Sequence, residues 1–320
     1  MNNVVAIFRN VLKNHKLKIL FFTLCFMLSL FMLFPFQDIG DLVSTQIAKF
    51  TNNQVYVQFQ KPGISLYPGL GLELEDVYIE TAMFPPIKAK TLSVNPSLSG
   101  LLTFSPGVSI HARESLGGNI DFSIKSSSIN SKPAQTFSIY ATQLDLGKVV
   151  GLSPIPIPVE GKLQLISNGE VDPTFMEDPN GNVQITINNL NLSSESISTP
   201  MGPMTLPPLT LNEVTLAGEL KDGQLRVEQL QVGDSKDELM AQVKGRLDLK
   251  IRNVGGVAEV TLGGYDIELR MQAQTSFQNK AGLFLSFLNS YKKPAGQGVM
   301  QYNIKLTGPN FQVPPKITQL

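Results

Sequence analysis

The chain has no tryptophan, one cysteine and two histidines, and only 16% of its residues are charged. The one cysteine, Cys25, sits inside an apolar run, so the remainder can form neither a disulfide nor a thiolate metal site. Hydrogen bonding and packing must hold it together. His15 lies in a basic N-terminal stretch, and His111 stands in SIHARES beside Arg113 and Glu114. A histidine without partners makes neither a zinc site nor a triad. No G-x-S-x-G elbow, H-E-x-x-H helix or phosphate loop occurs. EDPNGN, residues 177–182, lacks the later glutamate of a calcium loop and reads as a turn. The chain is therefore expected to be no enzyme, with no catalytic residue, no cofactor and no metal. Basic and acidic residues balance at 26 each. Setting aside Arg9, Lys13, Lys16 and Lys18 leaves 26 − 4 = 22 basic residues against 26 acidic, which argues against a nucleic-acid partner.

What the sequence does have is one long apolar run, residues 19–36, ILFFTLCFMLSLFMLFPF. Its 18 uncharged residues reach about 27 Å as a helix, against a hydrocarbon core of roughly 30 Å. Basic residues precede it, Asp38 and Asp41 follow it, and LFPFQDIGD offers no small-residue cleavage site. The run predicts an uncleaved single-pass anchor with residues 1–18 as a cytoplasmic tail and the bulk of the chain translocated. Beyond it, IGDLVSTQIAKF, residues 39–50, carries Ile39, Leu42, Val43, Ile47 and Phe50 at helical spacing. That stripe packs on the following domain or touches lipid headgroups.

From residue 50 the apolar period becomes two. NQVYVQF, GLGLELEDVYIE, IKAKTLSVNP and GGNIDFSIKSS alternate apolar with polar residues. GLSPIPIPVE, with Pro154, Pro156 and Pro158, marks a boundary between a region 37–150 and a region 151–308, with a tail 309–320. In NVQITINNLNL the phase slips at Asn188-Asn189, as at a bulge or tight turn. Lys221-Asp222-Gly223-Gln224 reads as an Asp-Gly hairpin, and short strands continue to VMQYNIKLTG. One helix is expected near 281–292, stopped by Pro294, with Leu283, Phe284, Phe287, Leu288 and Tyr291 along one face. Leu283, Phe284, Phe287 and Leu288 form the candidate interaction surface, to be weighed against a plain cover on the end of the sheet.

Two segments carry a family resemblance. IAKFTNNQVYVQF through ISLYPGLGLELEDVYIE to IKAKTLSVNPSL is similar to the opening of AsmA-like proteins. PLTLNEVTLAGELKDGQLRVEQLQVGDSKDELMAQVKGRLDL resembles their recurring Gly-led strands. Behind one anchor, this order resembles the type II secretion system protein N family. The resemblance implies a mainly β fold, an elongated, mostly antiparallel AsmA-like sheet with a few short helices behind one transmembrane helix. It implies a bacterial inner-membrane protein, its bulk periplasmic, with no catalytic residue to carry over. The expected partners are other envelope or secretion-system proteins and membrane lipid. The alternative it implies is an AsmA-like protein that binds or transfers a lipid ligand, on a groove that period-two strands also supply.

Overall fold

The structure is a computed structural model. It describes residues 16–32, 44–45 and 48–49, and from 55 onward all but 66–68, 82–83, 98–99, 101–104, 130–131, 154–157, 173–176, 195, 200–201, 206, 255–256 and 297. In chain order the strands are β1 (Val55–Gln58), β2 (Lys61–Ser65), β3 (Gly71–Thr81), β4 (Ile87–Pro96), β5 (Gly107–Ser115) and β6 (Gly118–Ile129). Then come β7 (Lys132–Asp145), β8 (Val159–Val171), β9 (Asn180–Leu192), β10 (Ser196–Thr199), β11 (Gly202–Thr205) and β12 (Leu209–Lys221). The last are β13 (Gln224–Val232), β14 (Leu239–Val254), β15 (Val257–Ala273), β16 (Lys292–Pro294), β17 (Met300–Gly308) and β18 (Lys316–Gln319). The helices are α1 (Lys16–Met32), α2 (Leu146–Val150), α3 (Thr275–Lys280) and α4 (Gly282–Ser286).

Sixteen strands join in one elongated antiparallel sheet, ordered β1-β3-β4-β5-β6-β7-β8-β9-β12-β13-β14-β15-β17-β16, with β2 on β3 and β18 on β17. Almost every strand lies beside its sequence neighbour, because tight polar turns leave no length for a crossover. The Asp-Gly turn is one such: Lys221 pairs with Gln224, and Asp222 and Gly223 take φ of 52° and 71°. The β10–β11 hairpin forms a separate two-stranded sheet. β7 and β8, on either side of the proline-rich stretch in sequence, pair from Gln135–Val171 to Asp145–Lys162 with one register shift between Ala141 and Leu144.

The expected transmembrane anchor is corrected. Among the described residues no helix is long and apolar enough to cross a membrane. The helix over that stretch, α1, is 17 residues long and reaches about 26 Å. Lys16 and Lys18 fall within it, so its uncharged part is only Ile19–Met32, about 21 Å against a core of roughly 30 Å. Residues 33–36 of the expected span lie outside the described residues. The single-pass inner-membrane location, which rested on that span, is withdrawn with it. Of the stripe expected over 39–50, Ile39, Leu42, Val43, Ile47 and Phe50 also lie outside the described residues, and helical turns appear at 44–45 and 48–49.

The helix expected near 281–292 is instead the short α4 and a 3-10 turn at Asn289–Tyr291, and a further short helix, α3, precedes it. Ala281 joins α3 and α4 with φ −104° and ψ 19°. Phe277, Ala281 and Leu285, at four-residue spacing, are the residues driven into the sheet. They form one buried cluster with Leu211, Leu239, Ala241, Met271, Ala273 and Tyr302. A second, smaller cluster of Val57, Leu74, Val77 and Ala89 sits at the other end of the sheet.

Candidate apolar binding face

Residues directly paired across an antiparallel ladder project from the same face. Following the pairings from strand to strand therefore maps each face. One row runs Leu74–Leu92–Ala112–Ile120–Ala141–Leu165–Ile185–Leu216–Leu230–Val243–Leu269–Ile304. It crosses twelve strands without a polar side chain. The adjacent row, from Leu72 through Val94, Ile110, Phe122 and Ile139 to Ile267 and Leu306, is interrupted only by Ser167, Gly218 and Gly245. Ser167 Oγ donates to the Asn182 carbonyl at 3.0 Å, so its hydroxyl is satisfied within the sheet.

The opposite face is the reverse. Its row Asn95–Ser109–Ser123–Ser138–Asn168–Asn182–Glu219–Arg226–Arg246–Asp266–Thr307 has no apolar member. A depression of about 300 Å³ on this face is lined by Arg226, Lys244, Gly245, Arg246, Asp266, Glu268 and Lys305. Its charges match one another: Arg246 lies 3.9 Å and Lys305 2.9 Å from Asp266.

The apolar face is only partly covered. Where α3 and α4 lie on it, Tyr302 and Ile304 are 1% exposed, and at the far end Leu74 is 2% exposed. Between those ends Ile120, Leu165, Ile185, Leu216, Leu230 and Val243 are half-buried and belong to neither buried cluster, whereas Ala141 in the same row is 1% exposed. With strands about 4.8 Å apart, the row spans roughly 50 Å. Soluble monomers rarely leave so long an apolar face without a partner.

Bulges bend this sheet. Pairing shifts between Ala112 and Ser115, Ala141 and Leu144, and Glu160 and Lys162. Glu114, Gln143 and Asn189 adopt φ of 52°, 58° and 53° along the same margin. Asn189 absorbs the phase slip read in the sequence, keeping Ile187 and Leu190 on the apolar face through their partners Val214 and Leu211. The β14–β15 hairpin outruns its neighbours. β13 stops at the Gln224–Asp248 pair and β17 at the Gly308–Tyr265 pair, leaving a two-stranded arm that exposes Val260 and Leu262.

No family model, curated protein or solved structure matches this chain. Fold and chemistry alone must speak for function.

The four residues chosen from the sequence as an interaction surface do not share one environment. Leu283 and Phe287 point outward, 65% and 69% exposed, whereas Phe284 and Leu288 are half-buried and Leu288 packs on the large cluster. Leu285, which the sequence reading passed over, is the residue of α4 that is buried. The row from β3 to β17 was not assembled from the sequence either. Its signal was present in the alternation of each strand, but register is needed to join the strands.

His111 has partners that the sequence reading missed. Its Nδ1 lies 2.7 Å from Asp121 Oδ1, and Arg113 Nη2 donates to the same oxygen at 2.8 Å. The signal was the symmetry of the β5–β6 hairpin, which sets His111 opposite Asp121. Burial raises the Asp121 carboxyl, but the hydrogen bonds from His111 and Arg113 outweigh it and hold the group below its ordinary range. Ser93 pairs with His111 on the other side. That Ser-His-Asp order lacks an oxyanion hole, because interior strands commit their backbone N–H groups to the ladder. Among the described residues, no three His, Cys, Asp or Glu side chains gather as a metal site requires.

Proposed function

We propose that this chain is a lipid-binding protein, whose apolar sheet face holds hydrocarbon chains. The observation that carries the reading is the unbroken apolar row across twelve strands, backed by a wholly polar opposite row and only half-buried on six of its middle strands. A sheet face that is one wall of a closed core would bury its centre first. Here the two buried clusters lie toward the ends, and mid-row only Ala141, beside Leu144 and α2, is buried. Apolar area left in water is unfavourable by about 25 cal/mol per Å², so a chain laid on it gains stability without any specific polar contact. The lipid alternative implied by the AsmA-like resemblance agrees with this reading.

The test is extraction of the purified full chain with organic solvent, followed by mass spectrometry, for the native sequence and for Leu216→Lys. The native chain should carry, or take up from vesicles, a stoichiometric lipid. The variant, with a charge at mid-row, should lose it while keeping a β-type circular dichroism spectrum. Equal lipid content in both, or none in the native chain, would refute the proposal.

A second reading, a non-enzymatic subunit of type II protein secretion, rests on the other resemblance. It has in its favour the exposure of Leu283 and Phe287 on α4. It requires that Leu283→Ser with Phe287→Ser abolish protein export by the cell without changing lipid content. Loss of lipid content with export intact would instead leave only the first reading.

A further inference from the structure

We infer that the β14–β15 arm pairs with the same arm of a second copy of this chain, β15 against β15 in antiparallel register about Thr261, so that two molecules join through their strands as a weak dimer. The inference concerns the edge of the arm and does not rest on the lipid reading. Beyond the Tyr265–Gly308 pair, no strand among the described residues bonds to β15 on the side away from β14. Along residues 257–264 that side therefore offers alternate backbone N–H and C=O groups to a further strand.

This edge lacks the protection the other edges carry. Lys292, Lys293 and Pro294 make up β16, and Pro62 stands in β2. The free edge of β14 in the arm reads LKIRN, with two basic residues. The facing stretch of β15, VAEVTLGG, has no lysine, arginine or proline, and leaves Val260 57% and Leu262 48% exposed. Lysine and proline are what keep a bare strand from pairing, so their absence marks this edge as the open one.

Self-complementarity makes a second copy the occupant. A two-fold axis at Thr261 sets Val260 opposite Leu262 of the second copy, and Glu259 opposite Gly263, which has no side chain to meet it. Within the arm Val260 already pairs with Ile251, and Leu262 with Leu249. Each joined row then reads Ile251–Val260–Leu262–Leu249 across four strands, wholly apolar. On the other face the row reads Lys250–Thr261–Thr261–Lys250, with the two lysines about 14 Å apart, beyond a Debye length at physiological salt. An axis at Val260 would leave Leu262 facing only Ala258. An axis at Leu262 would claim Tyr265, which is already paired with Gly308. One short strand a side falls well below the roughly 20–30 residues of a standard interface, so the dimer is weak and concentration-dependent.

Sedimentation of the purified full chain, from micromolar to submillimolar concentration, should show a monomer–dimer equilibrium. Leu262→Lys, at an exposed position, should weaken it at least about tenfold by setting a charge in the apolar row, and should leave the melting temperature unchanged. Val260→Lys gives the same readout should that variant lose its β-type spectrum. For register, Thr261→Cys with Cys25→Ser should oxidise to a linked dimer, because directly opposed Cα atoms lie about 4.5–5.5 Å apart, within disulfide reach. Glu259→Cys in the same background should stay unlinked, its twin lying four residues along the strand, about 14 Å away. A monomer at every concentration overturns the inference, as does a dimer that both lysine variants leave intact. Linkage at 259 as ready as at 261 overturns the register. Monomeric sedimentation with binding to phosphatidylglycerol vesicles that Leu262→Lys abolishes would give the arm to a membrane surface instead of a second copy.

Discussion

Ile304 and Leu216 occupy the same register row, yet Ile304 is 1% exposed beneath the helices and Leu216 is half-buried in the open stretch. Truncation should separate them. Ile304→Ala leaves a cavity and should cost about 2–5 kcal/mol. Leu216→Ala leaves none, removes side chain that is already partly wet, and should cost about 1 kcal/mol. Urea denaturation of the two variants measures both, and equal losses would mean that the middle of the face is as covered as its end. On the polar face, Asp121 is the residue that couples fold to pH. Its folded carboxyl titrates below the ordinary 3.8, because the hydrogen bonds to His111 and Arg113 outweigh burial. The stability it contributes is therefore present above pH 3.8 and lost as pH falls through the lower folded value. Asp121→Asn should flatten the acid limb of a pH titration of stability and leave the neutral-to-alkaline limb unchanged in shape.

Helices α3 and α4 show how tertiary contact picks a face that periodicity leaves open. LFLSFL, residues 283–288, is apolar nearly all round, so several stripes fit it. The sheet selects Phe277, Ala281 and Leu285, and Leu283 and Phe287 are left outside. Phe277→Ala should cost about 3–5 kcal/mol, while Phe287→Ser should stay within about 0.5 kcal/mol of the parent. Thermal melts decide this, and a large loss at Phe287 would mean that it is covered in solution. The terminal strands follow a different logic. β16 is only Lys292, Lys293 and Pro294, and Pro62 stands in β2 at the other end. Short strands with lysine and proline discourage edge-to-edge pairing.

The described residues form a long sheet with a buried cluster toward each end and a largely half-buried apolar row between them. That arrangement should be visible to an apolar dye. The native chain should enhance anilinonaphthalene sulfonate fluorescence at neutral pH without any sign of unfolding, and added phospholipid should displace the dye. Dye binding that appears only with acid or denaturant would mean that the face is covered in the native state.

The sequence by itself determined that the chain from about residue 50 onward is mostly strand, that turns such as Asp222-Gly223 join strands as neighbours, and that Asn188-Asn189 breaks phase. Each of these is a local property: side-chain alternation, left-handed backbone at Gly and Asn, and too little chain for a crossover. It misjudged α1 as a span because an apolar run signals only burial or lipid, and the helix formed there falls short. Only the tertiary structure decided which residues of distant strands share a row, that His111 meets Asp121, and which face of 281–292 is buried. Register is a relation between chains of residues, set by every turn and bulge before it, and a single bulge moves a whole side-chain set to the other face. Alternation therefore announced an apolar face on each strand, and the pairing alone made twelve of them one surface, with a buried cluster toward each end.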